Sequence, residues 1–158
     1  MNTFKDFYSR QRRKFFSYLV RRSGDYQLAC DVMQESFTRL YEKYAAENLT
    51  PQLLYTIGRN LVYDALRRGK RNPVLLEEKN QPMVDPNHEL MVREEYRRVM
   101  AAMQRLEDDE RDLLALVVSS EHSYREIAEM TGISEANVKV KIHRARKKLR
   151  NFLETGGT

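Results

Sequence analysis

Apolar residues recur at steps of three and four along most of the chain, and this period breaks down only once, between residues 69 and 86. Residues 25–44 carry one such stripe and residues 51–68 another, which is typical of amphipathic helices packed on a core. The interruption contains three of the four prolines and no sustained period, which predicts a linker. We therefore expect an all-α protein, with two small helical domains joined by a flexible linker.

The linker is predicted over residues 71–88, between domains at 1–70 and 89–158. About 15 extended residues reach on the order of 50 Å, more than the roughly 34 Å of one DNA turn. Its one apolar patch, at residues 74–76, either contacts one of the domains or binds another molecule. The acidic run at residues 107–110 has no His or Cys, and we interpret it as a helix N-terminus rather than a metal site.

The strongest local motif lies at residues 123–150. Ser123 and Glu126 have the spacing of a capping box, which begins a short helix. Gly132 can adopt the positive φ of a tight turn, and Ser134 caps a second helix that runs to about residue 152. Because apolar residues line the inner faces of both helices, this unit predicts a helix-turn-helix in the C-terminal domain, with its second helix in a DNA major groove.

The second helix of this unit has a strongly cationic outer face. Residues 139–150 contain seven basic side chains and no acidic one. Like charges at this density repel one another unless a polyanion screens them, so DNA binding is favoured over a merely solvated face. The N-terminal part of such a helix usually contacts the base edges. His143 is interpreted as a groove or phosphate contact, because no second metal ligand lies at a useful spacing.

The helix at 51–68 has a second basic surface. Tyr55, Arg59, Tyr63 and Arg67 follow one another at four-residue steps on its polar face. Rings that stack on bases, alternating with cations that hold phosphates, suit unpaired nucleic acid. The alternative is that the tyrosines line the rim of a core and the arginine stems cover it. The residues alone leave these two interpretations open.

The net charge of +5 conceals basic and acidic segments that alternate along the chain. The helix at 25–44 has an acidic and polar outer face, which is either plain solvent surface or a protein-docking surface. One cysteine permits no internal disulfide, and neither a secretory signal nor an apolar run of about 18 residues is present. We therefore expect a cytoplasmic protein without membrane insertion. No catalytic constellation, phosphate loop or metal spacing appears, so we predict no enzyme, metal or cofactor.

Four stretches together resemble the extracytoplasmic-function (ECF) group of bacterial sigma factors. They read DVMQESFTRLY at 31–41, LYTIGRNLVYDALRR at 54–68, SYREIAEMTGIS at 123–134 and HRARKKL at 143–149. The resemblance implies that residues 1–70 form sigma region 2 and residues 89–158 form region 4, with the linker threading the RNA exit path of RNA polymerase. The sequence departs from many relatives at Leu54, at Glu107 and over residues 136–141. Because residues 136–141 lie in the predicted recognition helix, the preferred −35 sequence stays open.

The resemblance also implies roles for individual residues. Docking on the β′ clamp helices of core RNA polymerase is implied for Asp31, Gln34, Glu35 and Thr38. Recognition and melting of the −10 element are implied for the 51–68 face and the loop before it: Asn48, Thr50, Gln52, Tyr55, Arg59, Asn60, Tyr63, Asp64, Arg67 and Arg68. Recognition of the −35 duplex is implied for Ser134, Glu135, Asn137, Lys139, Val140, Lys141, His143, Arg144, Arg146 and Lys147.

The implied partners are core RNA polymerase, including its β flap, promoter DNA and an anti-sigma factor that clamps the two domains together. The implied function is promoter-specific initiation of transcription. One alternative is a stand-alone helix-turn-helix regulator that acts without replacing the housekeeping sigma factor. Another is an interaction module that occupies polymerase without starting transcription.

Overall fold

The computed structural model describes residues 3–44, 48–69 and 86–155, without the side chains of residue 3 and residues 86–92. These ranges contain seven α-helices and no strand, which confirms the predicted all-α class. The helices are α1 (Thr3–Ser23), α2 (Tyr26–Lys43), α3 (Pro51–Arg67), α4 (Pro86–Met103), α5 (Asp108–Ser119), α6 (Tyr124–Thr131) and α7 (Glu135–Glu154). Residues 71–85 of the predicted linker, with the apolar patch at 74–76, lie outside the described residues.

Short side chains at the helix starts determine where several elements begin. The carboxylate of Asp25 accepts a hydrogen bond from the Leu28 N–H at the start of α2, and Thr50 does the same for Leu53 at the start of α3. At α5 the backbone N–H of Glu107 donates to the Glu110 carboxylate at 3.1 Å. The acidic run is therefore a helix N-terminus, as the sequence indicates.

The first half of the molecule, α1 to α3, is a three-helix bundle. Phe15 and Leu19 of α1, Leu40 of α2 and Leu54 of α3 are all fully buried in it. Gly58 lies where α3 crosses α1, and a Cβ at this position would come within 2.5 Å of the Phe15 ring. The absence of a side chain there lets the two helices approach closely.

The second half, α4 to α7, contains the predicted helix-turn-helix in α6 and α7. Ser123 and Glu126 form the capping box, Gly132 ends α6 with φ +80°, and Ser134 caps α7. Ile127 of α6 and Val138 of α7 are completely buried, and α7 contacts both α6 and α5. The motif is confirmed, and its second helix presents its basic side to solvent.

The two halves pack directly on each other, an arrangement that the sequence left open. Helix α1 lies against α5, and α3 contacts α6. Buried residues of both halves, from Phe15 and Tyr18 to Leu113 and Leu116, belong to one continuous hydrophobic cluster. Which residues of α3 reach solvent therefore depends on what the second half covers.

Candidate nucleic-acid interfaces

The predicted DNA-reading part of α7 is exposed. Val140, 45% exposed, lies among cationic side chains on the outer face of the helix. Nine of the ten predicted −35 residues are exposed: Ser134, Glu135, Asn137, Lys139, Val140, His143, Arg144, Arg146 and Lys147. Lys141 is half-buried, because its ammonium donates to Asp109 at the start of α5 at 2.6 Å. This hydrogen bond lowers the pKa of Asp109.

The predicted DNA face of α3 divides into an open part and a covered part. In the open part, Asn60, Tyr63, Arg67 and Arg68 are exposed, and Tyr63 keeps 57% of its surface accessible. The Arg67 guanidinium lies 6.0 Å from the centroid of the Tyr63 ring and 3.4 Å from the half-buried Asp64 carboxylate. This part offers a ring and cations together, which is the combination that unpaired nucleic acid requires.

Arg59 lies in the covered part of α3. Its Nε and Nη2 donate to Oδ2 of Asp112 in α5, at 2.9 and 2.7 Å. Its Nη1 donates to the backbone carbonyl of Met130 in α6 at 3.1 Å. Only 21% of the side chain is exposed. Burial by itself would lower the pKa of Arg59, but the Asp112 carboxylate raises it.

The prediction that Tyr55 lies on the exposed polar face of α3 is wrong for this conformation. Tyr55 is 1% exposed and packs against Phe15 of α1 and against His122 in the turn before α6. Four-residue spacing correctly puts Tyr55 on the same side of α3 as Arg59, but that end of the helix enters the contact between the halves. Burial raises the pKa of its phenol, with a further contribution from Glu121.

Asp112 is the centre of this covered part, and the sequence interpretation did not identify it. Its carboxylate accepts a hydrogen bond from the Tyr18 hydroxyl at 2.5 Å and lies 3.3 Å from Arg22 Nε. All three residues are at least 95% buried. Burial, reinforced by Asp112, raises the pKa of Tyr18 well above its usual value. The available signal was an aspartate directly before the apolar run Leu113–Leu116, at a position that the helix turns inward.

Comparison with known families settles the class of the protein. The Sigma-70 region 2 model matches residues 7–72, and the Sigma-70 region 4 model matches residues 96–149. The chain belongs to the sigma-70 family. Its relatives place it in the ECF group, so the resemblance that the motifs indicate is confirmed. It is an RNA-polymerase-binding sigma factor that directs the polymerase to promoters, and thus a transcription regulator.

Three relatives illustrate the distance to characterised members. The sigma factor is 26% identical to the ECF RNA polymerase sigma factor SigM of Bacillus subtilis, over 98% of this chain and 97% of SigM. It is 26% identical to EcfG of Rhodopseudomonas palustris, over 89% of this chain and 80% of EcfG. It is 30% identical to SigE of Mycolicibacterium smegmatis, over 89% of this chain and 57% of SigE.

Two solved structures share the fold of almost the entire sigma factor. CnrH, solved with the cytosolic domain of CnrY, superposes with a TM-score of 0.73 at 21% identity, covering 96% of this chain and 88% of CnrH. RpoE of Bartonella quintana, solved with the anti-sigma factor NepR, gives 0.70 at 20% identity, covering 95% of this chain and 98% of RpoE. Matches to both sigma regions favour the sigma factor over a stand-alone helix-turn-helix regulator.

The loop before α3 and the outer face of α2 complete the predicted sites of the sigma factor. Asn48 and Thr50 are exposed, while Gln52 donates from its amide to Glu129 of α6 at 3.2 Å. Thr50, Gln52 and Tyr55 line one side of a cavity of about 420 Å³, and Glu121 and His122 line the other. The four predicted polymerase-docking residues, Asp31, Gln34, Glu35 and Thr38, are all exposed on α2.

The residues that the structure describes contain neither a membrane-spanning helix nor a metal-binding cluster. No helix there is long and apolar enough to cross a membrane. Within the same ranges, His, Cys, Asp and Glu side chains form no group of three or more that would hold a metal ion.

Proposed function

We propose that this sigma factor reads the −35 element as duplex DNA with α7 and holds the melted −10 strand with α3 and the loop before it. The observation that carries this assignment is the exposure of a cationic recognition helix together with an exposed tyrosine–arginine pair on another helix. Arg144 and its neighbours on α7 suit paired DNA, whereas Tyr63 and Arg67 on α3 suit unpaired bases and their phosphates. Residues 1–70 then act as region 2 and residues 89–158 as region 4.

Docking on core RNA polymerase holds the two reading surfaces at a set separation. We assign the acidic face of α2 to the β′ clamp helices and the second half to the β flap. Because melting duplex DNA costs roughly 1.4 kcal/mol per stacked step, captured bases and polymerase contacts must together offset several steps. The protein acts where RNA polymerase is found, in the cytoplasm.

Regulation by an anti-sigma factor is part of this proposal. The two solved chains with the same fold are each in complex with a second protein, the cytosolic domain of CnrY and the anti-sigma factor NepR. A protein that binds both halves of the chain would keep the exposed residues of α3 and α7 away from promoter DNA. Sequencing of the promoters and identification of the proteins recovered with this sigma factor from its host would name both partners.

Run-off transcription with purified core polymerase tests the function. Addition of the sigma factor to core polymerase is expected to yield discrete transcripts from a subset of a promoter library. A stand-alone regulator would instead bind duplex DNA without polymerase, and a decoy would bind polymerase without producing any transcript. The absence of a specific transcript across the library would overturn the proposed function.

A further inference from the structure

The exposed side of α1 carries a positive charge that neither of the proposed DNA-reading surfaces uses. Residues 7–24 contain six basic side chains and no acidic one. Arg21 donates to the Ser119 hydroxyl and Arg22 to the Asp108 carboxylate, so both are bound within the fold. The other four basic residues are exposed: Arg10, Arg12, Arg13 and Lys14. Because like charges one turn apart repel one another, this side of α1 favours an anionic partner.

The four exposed cations lie on two different faces of α1. Arg10, Arg13 and Lys14 fall within one helical turn and share a face, which we call the α1 basic face. Arg12 lies about 200° from Arg10 around the helix. Its guanidinium is 5.9 Å from the centroid of the Tyr8 ring, and this ring packs on α2. Arg12 is therefore on the side of α1 next to α2, whereas the α1 basic face is turned away from α2.

The α1 basic face lies next to the loop that precedes α3. Gln11 and Lys14 of α1 line the same cavity as Thr50 and Gln52 at the start of α3. Thr50 and Gln52 belong to the surface that the proposed function assigns to the melted −10 strand. A strand bound at this loop therefore passes beside the α1 basic face.

The cations of the α1 basic face are available to a ligand in this structure. Arg10 and Arg13 form no ion pair or hydrogen bond with any residue that the structure describes. Lys14 donates to Glu121 at 2.6 Å, but 46% of the Lys14 side chain and 84% of the Glu121 side chain are exposed. Such an exposed pair is weak, so Lys14 can exchange the carboxylate for another anion. Phosphate suits this face, because a guanidinium binds phosphate oxygens through paired N–H groups.

We propose that the α1 basic face binds backbone phosphates of the melted −10 strand next to the loop before α3. This proposal rests on the proposed role of that loop and of α3 in holding the strand. Arg10 and Arg13 contact phosphates and not base edges, so their contribution does not depend on the promoter sequence. They extend the single-strand surface beyond the N-terminal end of α3 and help to offset the free energy that melting costs.

The first test compares Arg10→Gln with Arg12→Gln in holoenzyme assembled from core polymerase and the full chain. Both substitutions remove one positive charge from an exposed arginine of α1, but only Arg10 lies on the α1 basic face. The ligand is a labelled promoter from the run-off library with a preopened −10 bubble, and fluorescence anisotropy gives its affinity at several salt concentrations.

Loss of one phosphate contact to a single strand reduces the slope of log affinity against log salt by about 0.7, which corresponds to about fivefold in affinity at about 0.1 M salt. We expect this loss for Arg10→Gln. Arg12→Gln is expected to change the affinity less than about twofold, because salt screens an exposed charge that does not touch the strand. Arg10→Lys keeps the charge and is expected to retain most of the affinity.

The second test locates the contact on the DNA. Methylphosphonate linkages, which carry no charge, replace the phosphates of the single strand one at a time. With the wild type and with Arg12→Gln, one or two linkages beside the bases at the loop are expected to lower the affinity about fivefold. With Arg10→Gln, one of these linkages is expected to cost less than about twofold, because the partner of that phosphate is already absent.

The outcomes separate this proposal from the proposed function. Equal affinities of Arg10→Gln and the wild type, equal losses in Arg10→Gln and Arg12→Gln, or the absence of a linkage whose effect depends on Arg10 would each overturn the role of the α1 basic face. An equal loss of affinity for core polymerase in Arg10→Gln would overturn it too and would make this face a protein-docking surface. In all these cases the proposed function stands if the wild type yields promoter transcripts. If the wild type yields none, the proposed function fails, and the phosphate contact fails with it.

Discussion

Helices α3 and α7 have similar chemistry and opposite accessibility. Each has an apolar stripe on its inner side and arginines on its outer side. On α7 the arginines face solvent, whereas on α3 Arg59 is covered by the second half and only the end near Tyr63 and Arg67 is open. A basic pattern therefore predicts which residues can meet DNA, while the neighbouring elements decide which of them are available.

The acidic partners of the two helices differ in the same way. Lys141 and Lys148 of α7 bind Asp109 and Glu110 of α5 within the second half, through ammonium groups that water reaches. The Lys141–Asp109 pair is partly exposed on both sides, so Lys141 can exchange this carboxylate for a phosphate at low cost. Arg59 of α3 binds the buried Asp112 of the other half, so its release requires movement of a whole half of the chain.

The largest expected effect concerns α7. Arg144→Ala is expected to weaken binding of polymerase holoenzyme to −35 duplex DNA by about 1–3 kcal/mol, which is the range for an arginine that contacts a base. Affinity for core polymerase should not change. Arg150→Ala removes the same charge near the end of α7 and is the matched control. A comparable loss of polymerase and DNA binding in Arg144→Ala would contradict the assignment of α7.

The next effect concerns the open end of α3. Asn60→Ala is expected to slow promoter opening about tenfold, or about 1.4 kcal/mol, because it removes a contact to the melted strand. A template with a preopened −10 bubble should restore part of the activity, since the cost of melting is then absent. Run-off transcription on paired and preopened templates measures both values. If the preopened bubble does not restore activity of Asn60→Ala, Asn60 neither assists melting nor contacts the single strand.

A smaller effect distinguishes phosphate contacts from base contacts on α7. Lys147→Ala is expected to weaken duplex binding to a similar extent for all sequences and to reduce the slope of log affinity against log salt by about 1. Titrations of holoenzyme on matched and mismatched −35 duplexes at several salt concentrations measure the slope. A loss confined to the matched duplex would instead make Lys147 a base contact.

The smallest effect involves the contact between the halves. Burial lowers the pKa of His122 below 6.5, so between these two values the unfolded chain binds more protons than the folded one. Stability is therefore expected to fall slightly as the pH decreases from 7.5 to about 5.5. The paired carboxylates Glu121 and Asp109 have pKa values lowered below their ordinary 4.5 and 3.8, and they titrate below this window.

Urea unfolding at the two pH values measures this effect. His122→Gln should reduce the difference between the midpoints, because the titrating ring is gone. His143→Gln is the matched control, since His143 is exposed on α7 and lies away from the contact. If the difference between the urea midpoints at the two pH values is unchanged in His122→Gln, or falls equally in the control, protonation of His122 does not cause the pH dependence of stability.

Most of the fold and the exposed part of the site follow from local patterns. Ser123, Ser134 and Thr50 cap helices where their spacing predicts them. Arg144, Arg146 and Arg150 of α7 face solvent as expected, whereas Lys141 and Lys148 are half-buried against carboxylates of α5. Tyr55 was misplaced and Asp112 was overlooked for one reason: both lie at the contact between the halves, where a polar face of one helix is buried by another part of the chain.

Local patterns of residues encode the helices, their caps, the turn of the helix-turn-helix and the sign of charge along each face. These properties depend on residues within a few positions of one another, so a local period or a capping residue is enough to encode them. The bond between Arg59 and Asp112, 53 residues further along the chain, follows instead from tertiary packing. The physical reason is that packing of the two halves, and not any local pattern, brings these charges together and excludes water from them.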